Sequence, residues 1–301
     1  MPGTPTFLLV TVGPNTFGRY AAFQAVEQGF PLIFLGDARE AVPHVTYVPR
    51  EDFMATATRF RRVFKEPKIN PPEMELACFS RWMIIRDFLK SHTRRPDEFF
   101  VAIDHDILVY RAFAGYERGF GHVQMTDICW TTPVTPALDA LCDFFFEVYE
   151  SPALMERYSR NNVIFGVPHL SDMHLIREFC KARPELVRHV PIQNLEHLGL
   201  DHNILGTGSY EGLKPGPTGM KKLWWINRQP HARRLLDGNL VPMSTLHLQG
   251  SSKSLMPLYH GITRPDLVQA LPALAPPTDP ALDAAWRRGR VAIDLDAAFA
   301  Q

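Results

Sequence analysis

The sequence predicts an α/β protein with a Rossmann-like, mixed but mainly parallel sheet flanked by helices, and three apolar runs carry that expectation. Phe7–Val12 is a continuous run ended by Gly13-Pro14-Asn15 and reads as a first strand. The segment from there to Gln28 spaces its apolar residues as a helix does, and Gly29 stops it. Pro31–Leu35 is a second short run closed by Gly36-Asp37, so the opening is β-α-β, the unit that builds parallel sheets through right-handed crossovers. Phe99–Ile103 is the third, apolar throughout, as a strand buried on both faces requires.

The remaining elements follow the same logic. Asp52–Phe64 and Glu73–Ser91 are predicted helices, the second with Ala77, Trp82, Ile85 and Leu89 as a partial apolar stripe. Pro136–Glu150 reads as a helix, Val163–Phe165 as a short strand, and Ser171–Lys181 as a helix capped by Ser171 with Asp172 in its first turn. Lys222–Ile226 and Asn239–Leu248 are predicted strands, with Asp237-Gly238 as a turn. Beyond Thr263 the composition shifts to Ala, Pro and Leu, with Pro272, Pro276, Pro277 and Pro280 close together and a short helix expected over 281–288. The expected organisation is one domain over residues 1–262 and a tail over 263–301 packed outside it.

Composition narrows the functional classes. The 32 Lys and Arg balance the 32 Asp and Glu, so the chain lacks the overall basic field of a nucleic-acid binder. A local exception is Arg59, Arg61, Arg62, Lys65 and Lys68, which suit an anionic acceptor or a membrane surface, although a solvated helix face explains them more cheaply. No run of about 18 apolar residues is present to span a bilayer, and Phe7–Val12 is too short for a secretory signal. The expected location is the cytoplasm, or the inner face of its membrane through peripheral contact. Cys78, Cys129, Cys142 and Cys180 are scattered without a metal-type spacing and read as free thiols.

Polar residues interrupt the third strand at Asp104-His105-Asp106 before apolar residues resume at Ile107–Tyr110. If the strand continues through this D-x-D, both carboxylates point to one side; taken alone the pair is as readily a loop or cap, since Asp favours turns. Two charges held so close repel unless a cation relieves them, and an oxygen-seeking Mn²⁺ or Mg²⁺ does so naturally. The site also lies where open α/β sheets bind ligands, outside the carboxyl ends of their strands. A second constellation, Thr245-Leu-His-Leu-Gln-Gly-Ser-Ser-Lys253, brings His247 as a further metal ligand, Gly250 for close backbone approach, and Lys253 for phosphate oxygens. Taken singly, His247 suits a core position and Lys253 a surface.

Together, Asp104-His105-Asp106 and Leu246-His-Leu-Gln-Gly-Ser-Ser-Lys253 resemble the retaining GT-A glycosyltransferases related to glycogenin and the bacterial lipopolysaccharide galactosyltransferases. With Glu75-Leu-Ala-Cys-Phe-Ser-Arg-Trp82 and Ser171-Asp-Met173 added, the ordered matches over residues 7–260 are similar to an uncharacterised bacterial group of polysaccharide glycosyltransferases. One departure is local: Ser254-Leu-Met-Pro257 follows Lys253 where the glycogenin-like pattern has Pro-Trp.

The resemblance implies Asp104, Asp106 and His247 as ligands of Mn²⁺ (or Mg²⁺), and Lys253 as a contact to the diphosphate. It implies Arg81, with Arg86 as competitor, as a second diphosphate contact. Thr11, Val12 and Gly13 would meet the base and ribose, and Asp172 would stand near the sugar as a catalytic candidate; Asp201, His202 and Asn203 are weaker candidates. The implied reaction moves a hexose from a nucleoside-diphosphate sugar, UDP expected, to a glycan or lipid-linked acceptor. Two rivals share these residues. Val101-Ala-Ile-Asp-His-Asp106 resembles a haloacid-dehalogenase-type phosphatase motif, although Leu108 stands where that motif wants Thr or Val. A sugar-nucleotide or glycan-binding module without turnover is the other.

Overall fold

The computed structural model describes residues 5–12, 16–37, 44–65, 71–92, 100–111, 120–123, 129–131, 136–164, 167–190, 199–206, 208–212 and 220–272. β1 (Thr6–Val10), α1 (Thr16–Glu27), β2 (Leu32–Gly36) and β3 (Thr46–Pro49) come first, and a 3₁₀ turn at Arg50–Phe53 leads into α2 (Ala55–Val63) and α3 (Pro72–Ser91). Next are β4 (Phe100–Ile103), β5 (Ile107–Val109), β6 (Phe120–Val123) and β7 (Cys129–Thr131). They precede α4 (Pro136–Glu150), α5 (Pro152–Arg160), β8 (Val163–Ile164), β9 (Val167–Pro168), α6 (Asp172–Ala182) and β10 (Val187–Val190). β11 (Leu223–Ile226), β12 (Gln229–Arg233), β13 (Leu240–Pro242) and β14 (Thr245–His247) follow, then a 3₁₀ turn at Gly250–Leu255, α7 (Met256–Tyr259) and α8 (Pro265–Ala270).

The main sheet has seven strands in the order β10-β6-β7-β4-β1-β2-β3, and only β7 among them runs against the rest. This is the mixed, mainly parallel sheet flanked by helices that the apolar runs predict. Alternation along each strand divides the core in two. Phe7 and Leu9 of β1 face one apolar cluster with α1, whereas Leu8 and Val10 face another with α2, α3, α4 and α6. β2 and β4 split in the same way, which explains why their sequences are apolar throughout. Proline at the first turn starts α3, α5 and α8, where a missing N–H costs nothing.

Three expectations change in detail. Asp52–Phe64 is not one helix, because the 3₁₀ turn and α2 are separated at Met54. Asn239–Leu248 is not one strand: β13 joins β11 and β12, whereas β14 pairs with β5. The chain turns between them at Ser244, whose N–H bonds the Gly199 carbonyl at 2.8 Å. Finally, the D-x-D does not continue β4. Asp104 ends the strand, Ile107 N–H returns to the Asp104 carbonyl at 3.2 Å, and β5 leaves the main sheet for β14. Asp104 and Asp106 therefore stand at a corner, and their proximity comes from a turn rather than from strand alternation.

The start of the predicted tail packs on the domain. Leu267 on α8 is fully buried in the α1 cluster, Gln24 accepts the Gly261 N–H at 2.7 Å, and Tyr20 donates to the Pro272 carbonyl at 2.7 Å. The short helix expected over 281–288 lies outside the described residues. Among the described residues no helix is long and apolar enough to cross a membrane, and Cys142 and Cys180 are buried free thiols.

Several buried histidines make stability depend on pH. Burial pushes His174 down to about 4, with Arg177 adding to it, and burial also lowers His169 and His260. A group depressed in the folded state binds its proton more readily when unfolded, so stability is full above about 6.5 and is lost as pH falls towards 4. The melting temperature is expected to drop between pH 7.5 and 5, His174 alone accounting for a loss of about 2 kcal/mol at pH 5. An unchanged melting temperature across that range would contradict the burial of these three imidazoles as neutral groups.

Candidate active site

The corner after β4 gathers charged side chains from four parts of the chain. Arg81 comes from the middle of α3, where it lies 8% exposed with its guanidinium 4.8 Å from the Trp82 ring. Its Nη1 is 3.0 Å from Asp104 Oδ2, and its Nη2 donates to Asp172 Oδ2 at 2.7 Å. Trp82 Nε1 donates to the same Asp172 oxygen at 3.0 Å. Asp172 is fixed in turn by α6, whose Ser171 cap accepts the His174 N–H at 3.2 Å. Arg86, one turn further on, instead meets Asp87, Thr56 and Asp139. Of the two candidate arginines, α3 turns Arg81 to the D-x-D.

On the other side of Asp104, Oδ1 receives the backbone N–H of His105 and lies 2.7 Å from its Nδ1. His105 Nε2 is 2.7 Å from Lys253 Nζ, and Lys253 Nζ is 3.1 Å from Asp106 Oδ2. An ammonium can only donate, so Nε2 accepts and the ring proton sits on Nδ1, directed at Asp104. His247 Nε2 completes the chain at 3.3 Å from Asp106 Oδ1. Asp172, Arg81, Asp104, His105, Lys253, Asp106 and His247 thus form one continuous polar row.

The electrostatics follow from that row. Burial pushes the Asp104 carboxyl up, but His105 and Arg81 beside it outweigh burial and hold it well below the usual carboxylate range. Burial and the Asp104 charge both push Asp106 up, yet His247 and Lys253 bring it net below its ordinary value. Both aspartates are ionised at neutral pH because Arg81, Lys253 and the two imidazoles lie against them.

Asp106 Oδ1 is the atom that speaks to a metal. It is buried and receives no well-formed hydrogen bond, with only the imidazole nitrogen of His247 at 3.3 Å. A buried carboxylate oxygen left without a proton donor is costly. A divalent ion between a carboxylate and an imidazole would satisfy it, and oxygen with nitrogen is a donor set that Mn²⁺ accepts. As the side chains stand, no group of three His, Cys, Asp or Glu among the described residues is arranged to hold an ion. Asp104 would join such a set by exchanging part of its contact with His105 or Arg81.

The other expected residues occupy different places. Thr11 follows β1, is 1% exposed, and has its side chain against Gly18 and Gly36; Arg50 Nη1 donates to its carbonyl at 2.6 Å. Val12 is 37% exposed, and Gly13 lies outside the described residues. Gly250 has φ +62°, the left-handed region that favours glycine, and a Cβ there would meet nothing within 4 Å. Its glycine is required by the turn into the 3₁₀ segment that carries Lys253, rather than by crowding. Reading by motif missed His105, the bridge between Asp104 and Lys253, because the middle position of D-x-D carries no expectation. It also missed Arg50, which belongs to no motif and holds Thr11, and it gives Trp82, present in the Glu75–Trp82 stretch, no role at Asp172.

No family model and no curated protein matches this chain. Among solved structures, fifty chains match. One, an active-site mutant of the glycosyltransferase LgtC, is similar over 94% of this chain and 99% of its own, at 10% sequence identity and a TM-score of 0.42.

Proposed function

We propose that this protein is a metal-dependent glycosyltransferase that moves a hexose from a nucleoside-diphosphate sugar, UDP being the expected nucleotide, to a glycan or lipid-linked acceptor. The observation that carries the reading is the row from Asp172 to His247, which sets two cations, three carboxylates and two imidazoles at the carboxyl end of the central strands. The hard part of sugar transfer is the diphosphate that leaves, because negative charge grows on it as the anomeric bond breaks. Asp104, Asp106 and His247 would hold a divalent ion, which as a Lewis acid neutralises that charge.

The chain's own residues supply the rest. Arg81, fixed by Asp172 and stacked beside Trp82, cannot swing away and offers preorganised charge. Lys253 is 24% exposed, so its ammonium can leave Asp106 for a phosphate oxygen once the carboxylate has another cation beside it. The main-chain turn at Thr11 and Val12 would receive the nucleoside. Asp172 acts on the sugar only indirectly in this arrangement, through Arg81. The phosphatase reading fits less well, since a nucleophilic Asp104 would have to attack with both oxygens engaged by Arg81 and His105.

The direct test incubates the protein with Mn²⁺ and a panel of sugar nucleotides and measures released nucleoside diphosphate. Release with one donor, abolished by chelation, is expected. Binding without release would support the non-catalytic module, and a phosphoaspartate trapped at Asp104 would support the phosphatase.

Contact with a membrane acceptor would run through α2. Arg59, Arg61 and Arg62 on α2 and Lys65 just after it are exposed, and no ion pair holds any of them among the described residues; Lys68 lies outside those residues. Each such cation adds about 1 kcal/mol at an anionic surface. Flotation with phosphatidylglycerol vesicles is expected to carry the protein at low salt, and Arg61→Glu/Arg62→Glu to weaken that binding at least about tenfold. Equal flotation of the two proteins would remove α2 from the membrane contact.

A further inference from the structure

Behind β14 lies a fully buried ion pair that the proposed chemistry does not use. Lys221 Nζ is 2.8 Å from Asp201 Oδ1, with side-chain exposures of 1% and 0%. The ammonium also donates to the Asn203 carbonyl at 2.6 Å and to the Gly206 carbonyl. Asp201 Oδ2 accepts the backbone N–H of His247 at 3.0 Å, and the Asp201 N–H bonds Thr245 Oγ1 at 3.2 Å. Ile204 N–H returns to the His247 carbonyl at 2.9 Å, and Asn203 Nδ2 donates to Gln249 Oε1 at 3.2 Å.

These bonds have one geometric consequence. β5 pairs with one edge of β14, in the register His247↔Ile107. At the opposite edge no further strand among the described residues receives His247; its N–H and C=O go to the Asp201 carboxylate and to the Ile204 N–H. A side chain therefore occupies the ladder position that a backbone carbonyl would fill, and Lys221 fixes that side chain. A buried ion pair is in general no more stabilising than an apolar pair of the same volume, so stability alone does not account for this one. What it adds is a set position for a short strand.

We propose that Asp201 and Lys221 are positioning residues of the site. The pair pins the backbone at His247, and so sets the imidazole against Asp106 and starts the Gly250–Leu255 turn where Lys253 reaches His105. The function of His247 rests on the reading above; the placement of its strand does not.

The test compares two neutral replacements of the pair. Asp201→Asn/Lys221→Gln keeps an acceptor for the His247 N–H and donors for the neighbouring carbonyls. Asp201→Leu/Lys221→Met fills the same volume and keeps neither. Melting temperature, amide hydrogen exchange over residues 245–249, and Mn²⁺-dependent release of nucleoside diphosphate are measured on each. The apolar pair leaves the His247 N–H and the Asn203 and Gly206 carbonyls without these partners, so it is expected to melt somewhat lower than wild type, to exchange these amides at least about tenfold faster and to lose at least about tenfold in kcat with KM little changed. The amide pair is expected to restore both.

Wild-type exchange over 245–249 in the apolar variant would overturn the proposal. So would failure of the amide pair to slow exchange relative to the apolar one. Should the apolar variant not fold, exchange in the amide variant decides alone: protection within about threefold of wild type supports the proposal, and its loss overturns it. Should wild type release no diphosphate from any donor, the sugar-transfer reading fails while the exchange comparison still decides the positioning claim.

Discussion

Asp106→Asn is expected to lower Mn²⁺-dependent diphosphate release by about 100-fold or more, the usual loss when one preorganised group is removed from a developing anion. The substitution is nearly isosteric, so packing around the buried side chain survives. It also removes the charge that Asp104 repels, one of the two causes that push Asp106 up. His247 and Lys253 nevertheless outweigh that repulsion, so the melting temperature should fall modestly, far out of proportion to the disappearance of turnover. That divergence separates an active-site role from a structural one, since a residue retained for stability would lose both together. Wild-type turnover in this variant would refute the metal assignment outright.

Arg81→Met is expected to have the largest effect on stability. The guanidinium reaches Asp104 and Asp172 at once, and both carboxylates are largely buried. Without it two anions are left without their shared cation, a loss of about 3–5 kcal/mol, or a fall in melting temperature on the order of 10 °C. Lysine is no substitute, because a single ammonium lacks the planar fork that serves two acceptors. Arg81→Met/Asp172→Leu should regain much of that stability by removing one of the stranded charges. It should still release diphosphate at least about 100-fold slower than wild type. Thermal melts and turnover on the two variants check this, and full activity in the double variant would exclude Arg81 from the chemistry.

Much of this arrangement is legible in the sequence, for physical reasons that also mark where legibility ends. β1, β2 and β4 are apolar on both faces because the sheet is covered on both, and a run of that kind needs no partner to be recognised. α4 runs from Pro136 to Glu150 as its apolar spacing indicates, and Ser171 caps α6 as its residue type suggests. β3 is not legible because it is short and only partly buried, and β12 because its two buried positions are Pro230 and Ala232, residue types that do not favour strands. The corner at Asp104 was hidden for another reason. Apolar residues on both sides of the motif look like one strand, and only the pairing of β5 with β14 reveals that the chain has changed sheets.

The site divides along the same line. D-x-D and the L-H-x-Q-G-x-x-K segment announce themselves by residue type and spacing, and the structure joins them through Asp106, His247 and Lys253. What spacing does not convey is the support. Trp82 behind Asp172, His105 between Asp104 and Lys253, and Asp201 with Lys221 beneath His247 act through contacts between distant segments. Arg81 could be preferred to Arg86 from its neighbours in sequence, but the helix phase that turns one inward and the other towards Asp87 and Asp139 is a property of packing.

Diffraction at the manganese absorption edge, from crystals soaked in Mn²⁺ and UDP, tests the central claim most directly. The account predicts an anomalous peak bounded by Asp106 Oδ1 and His247 Nε2, with Asp104 drawn to it, the diphosphate on its far side, and Lys253 moved from Asp106 to a phosphate oxygen. A peak elsewhere on the molecule, or nucleotide density away from this corner with the Lys253 contact to Asp106 intact, would contradict it.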